Sequence, residues 1–118
     1  MDQLEIRPEK EREKYQFNKL RDIIYKAQKF SSGWREILKG VNFEEISDKA
    51  SLTKLPIIRK SSLSDIQKKS PPFGGLTTID TSKFKNLFVS PGPIYEPGGD
   101  NDFWRMSRAM NAACFSKG

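Results

Sequence analysis

Apolar residues recur at three- and four-residue spacing between Glu9 and about Phe30. Phe17, Leu20, Ile24 and Ala27 form the stripe, Ile23 widens it, and charged residues fill the remaining positions. That period predicts an amphipathic helix docked on its own domain. Pro8 suits the first turn, and Ser31-Ser32-Gly33 supplies the stop. A short helix follows from Trp34 to Leu38, closed by Gly40, and Asn42 or Asp48 starts further turns. Ser51 to Pro56 reads as one turn of helix halted by its proline. Arg59 to Lys69 reads as a small capped helix whose final Lys68-Lys69 pair complements the helix dipole.

The pattern changes at Ser70-Pro71-Pro72-Phe73-Gly74-Gly75, a loop by its turn chemistry. Leu76 to Asp80 is expected as a short strand. Leu87-Phe88-Val89 is the stronger candidate, a buried strand running into the Ser/Gly/Pro loop of residues 90–99. A helix is predicted from Asp102 to Cys114, capped by Asp100 or Asn101, with Phe103, Met106, Met110 and Ala113 on one face. Strand, tight loop, helix is an arrangement in which backbone N–H groups can cradle phosphate. The predicted class is α+β, mostly α with a few short strands. A helical region spans 1–75 and a strand-loop-helix unit spans 76–118.

Composition narrows the chemistry. The 118 residues are 36% hydrophobic and 31% charged, enough for one modest domain and too little for a large cleft between lobes. A net charge of +6 and a pI near 9.5 come from interspersed charges, which tolerate anionic partners without naming one. Histidine is absent, which excludes Ser-His and Cys-His nucleophilic chemistry within these residues. With Cys114 as the single cysteine, neither an internal disulfide nor a zinc set is expected. Glu44, Glu45, Asp100 and Asp102 are scattered, so no catalytic residue and no metal site is assigned. Cys114, among small and apolar residues at a helix end, reads as a buried, inert thiol. Tyr95 and Trp104 could stack on an adenine or acyl group, but packing is the preferred use. The first ten residues lack an apolar signal core and no window approaches a membrane span, so a cytoplasmic location is expected.

Three pieces in order carry a family likeness. They are Leu55-Pro56-Ile57-Ile58-Arg59-Lys60-Ser61-Ser62-Leu63, the loop Ser90-Pro91-Gly92-Pro93-Ile94-Tyr95-Glu96-Pro97, and the run from Trp104 to Gly118. Together they resemble the N-terminal portion of phenylacetate–CoA ligases, within the AMP-dependent synthetase superfamily of adenylate-forming acyl-CoA synthetases. In that family an LP-x-x-x-K-x-x-L segment closes a helical region. A strand then leads to the phosphate-binding loop S-S-G-T-T-G-K-P, and a helix follows.

Laid on that loop, Ser90, Gly92 and Pro97 match, and the resemblance makes them the nucleotide phosphate-loop candidates. Pro91, Pro93, Ile94, Tyr95 and Glu96 depart from it. Two prolines remove N–H donors, Pro93 and Ile94 replace hydroxyl-bearing threonines, and Glu96 puts a negative charge where the family has lysine. The loop is similar to that of a divergent phenylacetate–CoA ligase-like branch. The competing reading is a rigid Pro/Gly turn.

The resemblance implies a parent that uses ATP, Mg²⁺ and CoA to make an acyl-adenylate and then an acyl-CoA. The family's adenine-reading motif, ribose-binding aspartate and C-terminal lysine have no counterpart in these 118 residues. The expectation is therefore an N-terminal fragment, inactive alone and without a cofactor of its own. Its expected partners are the remainder of the ligase or another copy, joined through exposed edges, and not a membrane. The alternative is a small basic interaction module for nucleic acid or a protein partner. The mixed charges and the lack of a nucleic-acid motif argue against nucleic acid.

Overall fold

The computed structural model describes residues 6–99 and 106–115. In chain order they form α1 (Glu9–Phe30), α2 (Ser32–Ile37), α3 (Lys60–Lys69), β1 (Asn86–Ser90), β2 (Ile94–Gly98) and α4 (Met106–Ala112). Single 3-10 turns at Phe43–Glu45, Ala50–Lys54 and Thr81–Lys83 join them. The class is α+β, mostly helical with one two-stranded antiparallel sheet among the described residues.

The α1 stripe builds the core. Phe17, Ile24 and Ala27 are buried and pack with Leu38 and the fully enclosed Ile46, while Leu20, Trp34, Val41, Phe43 and Leu55 close around them. Ile23 does not widen the stripe; it is 57% exposed. One residue before Ile24, its side chain is turned about 100° around the helix and leaves the core face.

Side-chain hydrogen bonds fold the following turns back onto α1. The Gln28 amide donates to the Leu38 and Val41 carbonyls at 3.2 and 2.8 Å. Arg35 donates to the Gln28 and Lys29 carbonyls, both at 2.9 Å, satisfying acceptors that the helix end leaves open. Ser31 ends α1 and caps α2: its Oγ accepts from the Trp34 N–H at 3.2 Å. The same hydroxyl donates to the Gly75 carbonyl at 2.6 Å, and the Gly33 N–H donates there at 2.9 Å. The 70–75 loop is thereby tied to the α1–α2 junction. Gly33 is required at that contact, because a Cβ would strike the Gly74 carbonyl oxygen.

Several sequence expectations are corrected. Leu76–Asp80 is irregular, with no strand partner. Asp80 instead caps the next turn, its carboxylate accepting from the Ser82 N–H at 2.8 Å. The start of α3 has no side-chain cap; Arg59 stands at that position. Leu87, Phe88 and Val89 do form a strand, but they are 54%, 49% and 59% exposed, so β1 is not buried. Cys114 is exposed as well. On the expected apolar face of the last helix, Met110 in α4 and Ala113 just beyond its end are exposed. The proposed caps Asp100 and Asn101, the helix start at Asp102, Phe103 and Trp104 lie outside the described residues. No helix among the described residues is long and apolar enough to cross a membrane.

Candidate functional site

The strand and the helix of the expected strand-loop-helix are present as β1 and α4, but much of the expected loop is a second strand, so β1 and β2 make a β-hairpin. β1 pairs antiparallel with β2 in the register Asn86–Gly98, Leu87–Pro97, Phe88–Glu96, Val89–Tyr95 and Ser90–Ile94. Pro91-Gly92-Pro93 makes the tip. The proline-flanked turn reverses the chain, and Ile94 then anchors it, only 4% exposed. Gly92 has a φ of 151°, and a Cβ there would come within 3.0 Å of Ile94 Cγ1. Glycine accommodates both demands.

α3 holds the hairpin through two buried polar side chains. Gln67 Nε2 donates to the Tyr95 carbonyl at 2.8 Å, and the Tyr95 N–H donates to Gln67 Oε1 at 2.9 Å. One amide side chain therefore occupies both outward-facing backbone groups of Tyr95, as a neighbouring strand would. Ser64, one turn earlier, donates to the Gly92 carbonyl at 3.3 Å. Phe73 and Phe84 add a T-shaped contact at 5.4 Å between the loop before the hairpin and the segment leading into β1.

Sequence reasoning missed Gln67 and Ser64. Their i, i+3 spacing puts them on one face of α3, but nothing local distinguishes a polar pair that binds backbone from one facing water.

The three phosphate-loop candidates are not brought together. Ser90 and Gly92 flank the tip, while Pro97 lies within β2 opposite Leu87. Ser90 Oγ donates to Glu96 Oε2 at 3.2 Å, so the hydroxyl already faces a carboxylate. Pro91 and Pro93 have no N–H to offer, and Ile94 pairs with Ser90 in the ladder. A triphosphate needs converging N–H, hydroxyl or cationic donors. The described tip does not fit that requirement by itself. Tyr95 is 37% exposed, and its contribution at this site is through its backbone.

No family model and no curated protein matches the chain. Solved structures do. A 2-hydroxyisobutyryl-CoA ligase in the postadenylation state, bound to 2-HIB-AMP, superposes with a TM-score of 0.75 at 21% identity. The match covers 86% of this chain and 22% of the ligase. The same enzyme with 2-HIB-AMP and CoA in its thioesterification state gives 0.73 at 19% identity, over 86% of this chain and 23% of that one. The likeness is one of fold. The chain spans between a fifth and a quarter of the length of these ligases.

Proposed function

We propose that these residues are the front segment of an ATP-dependent carboxylate–CoA ligase of the phenylacetate–CoA ligase-like branch, which works through an acyl-adenylate. The observation that carries the reading is the shared fold with a CoA ligase over 86% of the chain. The ordered motifs support it as well. Leu55-Pro56 closes the helical part, Lys60 opens α3, and the Ser90–Pro97 stretch forms the hairpin that α3 holds. The branch assignment rests on those motifs alone.

In such a ligase the carboxylate attacks the α-phosphate of ATP and expels pyrophosphate; the CoA thiol then displaces AMP from the acyl group. Charge stabilisation and placement of the carboxylate carry most of the catalysis. This segment contributes architecture: Gln67 and Ser64 fix the hairpin, and the nucleotide grip comes from elsewhere in the polypeptide. Alone, the 118 residues bind no cofactor productively and catalyse nothing.

The test is carboxylate-dependent ATP–pyrophosphate exchange, measured on the purified 118-residue chain and on the product of the whole reading frame that contains it. Exchange only by the latter is expected. Exchange by the isolated chain overturns the architectural role, and none by either overturns the ligase reading.

A further inference from the structure

The two edges of the hairpin are unlike. On the β2 side both outward groups of Tyr95 are taken by Gln67, which is 7% exposed, and Pro97, two residues along, has no N–H. That edge is closed to another strand. On the other side, antiparallel geometry alternates inward and outward pairs. Because Tyr95 turns its N–H and C=O away from β1, its partner Val89 turns its own away from β2, and Leu87, opposite Pro97, does the same. No described strand pairs with that edge. It presents two donors and two acceptors in strand register.

The side chains specify the surroundings. A hairpin with one face in water alternates apolar and polar residues. Leu87, Phe88 and Val89 are consecutive, so apolar groups stand on both faces of β1, each about half exposed. A strand apolar on both faces suits the interior of a sheet covered by further layers.

A second copy is a poor occupant. Each chain carries +6 and places Lys83 and Lys85 just before β1. An edge pairing of five residues, roughly 17 Å long, covers far less than the ~800 Å² per partner of a stable interface. A polypeptide of the neighbours' length, of which this chain matches 22%, has the material for both a strand and its covering layers.

We propose that the outer edge of β1, at Leu87 and Val89, is an internal docking edge that receives an apolar strand from the remainder of the ligase polypeptide, extending the sheet on that side only. This rests on the ligase reading above.

Residue-resolved amide hydrogen exchange tests it. In the dilute 118-residue chain, the Leu87 and Val89 amides should exchange within about tenfold of free-peptide rates, while Phe88, which faces β2, is protected. In the product of the whole reading frame both should slow by at least ~100-fold. Unchanged Leu87 and Val89 rates there, with carboxylate-dependent pyrophosphate exchange present, overturn the docking edge and leave the ligase reading intact. Protection without pyrophosphate exchange overturns the ligase reading instead. Protection that appears in the 118-residue chain, either when dilute or with rising concentration, overturns the proposal by closing the edge internally or with a second copy.

Discussion

Replacing Gln67 by alanine should release the hairpin from α3. The side chain is 7% exposed and makes two hydrogen bonds to one residue, at 2.8 and 2.9 Å. Removing it strands the Tyr95 N–H and C=O together. Each group left unsatisfied costs about 1–3 kcal/mol. Tyr95 lies near the surface, where water reaches part of the exposed backbone, so the lower half of the summed range applies, about 2–4 kcal/mol. At tenfold per 1.4 kcal/mol this raises the opening equilibrium by roughly 30- to 700-fold. The assay is hydrogen exchange at the Tyr95 amide, with urea unfolding as the global readout. Gln67→Glu sharpens the test: its carboxylate should repel the Tyr95 carbonyl at neutral pH, and protonation in acid should restore a donor and part of the protection. A Gln67→Ala chain with Tyr95 protection within about threefold of the parent would refute the strand-like role of this amide.

Other expected outcomes concern the core, one junction and two exposed groups. Ile46 is fully enclosed, so Ile46→Ala should cost about 2–5 kcal/mol and Ile46→Val about 0.5–1.5 in urea unfolding; equal, small losses would deny Ile46 a central place. Gly33→Ala gains about 1 kcal/mol of helix propensity but drives a Cβ into the Gly74 carbonyl and to 2.9 Å from Leu76 Cδ2. Net destabilisation of about 1–3 kcal/mol is expected, and a stabilised variant would contradict the close contact. The Glu45 carboxyl titrates below its ordinary value, chiefly because Lys54 donates a hydrogen bond to it, with the Lys54 charge and Asn42 adding to this. Its folded value lies below the unfolded one, so its contribution is present above the unfolded value and is lost as pH falls through the folded value. In an NMR titration, Lys54→Met should return Glu45 toward the ordinary range; an unchanged midpoint would exclude Lys54 as the cause. Cys114 is exposed and should react completely with a disulfide reagent in the native chain, whereas labelling only after denaturation would show it buried.

What could be read directly from the residues was local. The α1 period selected Phe17, Ile24 and Ala27 for the core because helical spacing brings them to one side whatever they meet. Gly40, Asn42, Pro56 and the Ser70–Gly75 run marked chain reversals because glycine, proline and short polar side chains restrict or extend backbone choice within a few residues. Leu87-Phe88-Val89 signalled a strand, yet the same apolar run would read alike whether covered or bare. That it stands about half exposed is visible only in the tertiary structure.

The hairpin was illegible for a related reason. Ile94-Tyr95-Glu96-Pro97-Gly98 has weak strand propensity, and it becomes a strand through its register with β1 and the grip of Gln67, 28 residues earlier. Likewise, only the close approach of Gly75 to Ser31, 44 residues apart, reveals why that serine is buried. The order of the Leu55–Leu63 and Ser90–Pro97 motifs carried the resemblance to CoA ligases, and the fold shared with a CoA ligase agrees with it. Tertiary structure decided that the second motif is a hairpin with one edge closed by Gln67 and the other without a strand partner among the described residues, because a backbone group's partner is set by what lies beside it in space. Sequence spacing holds no record of that neighbour.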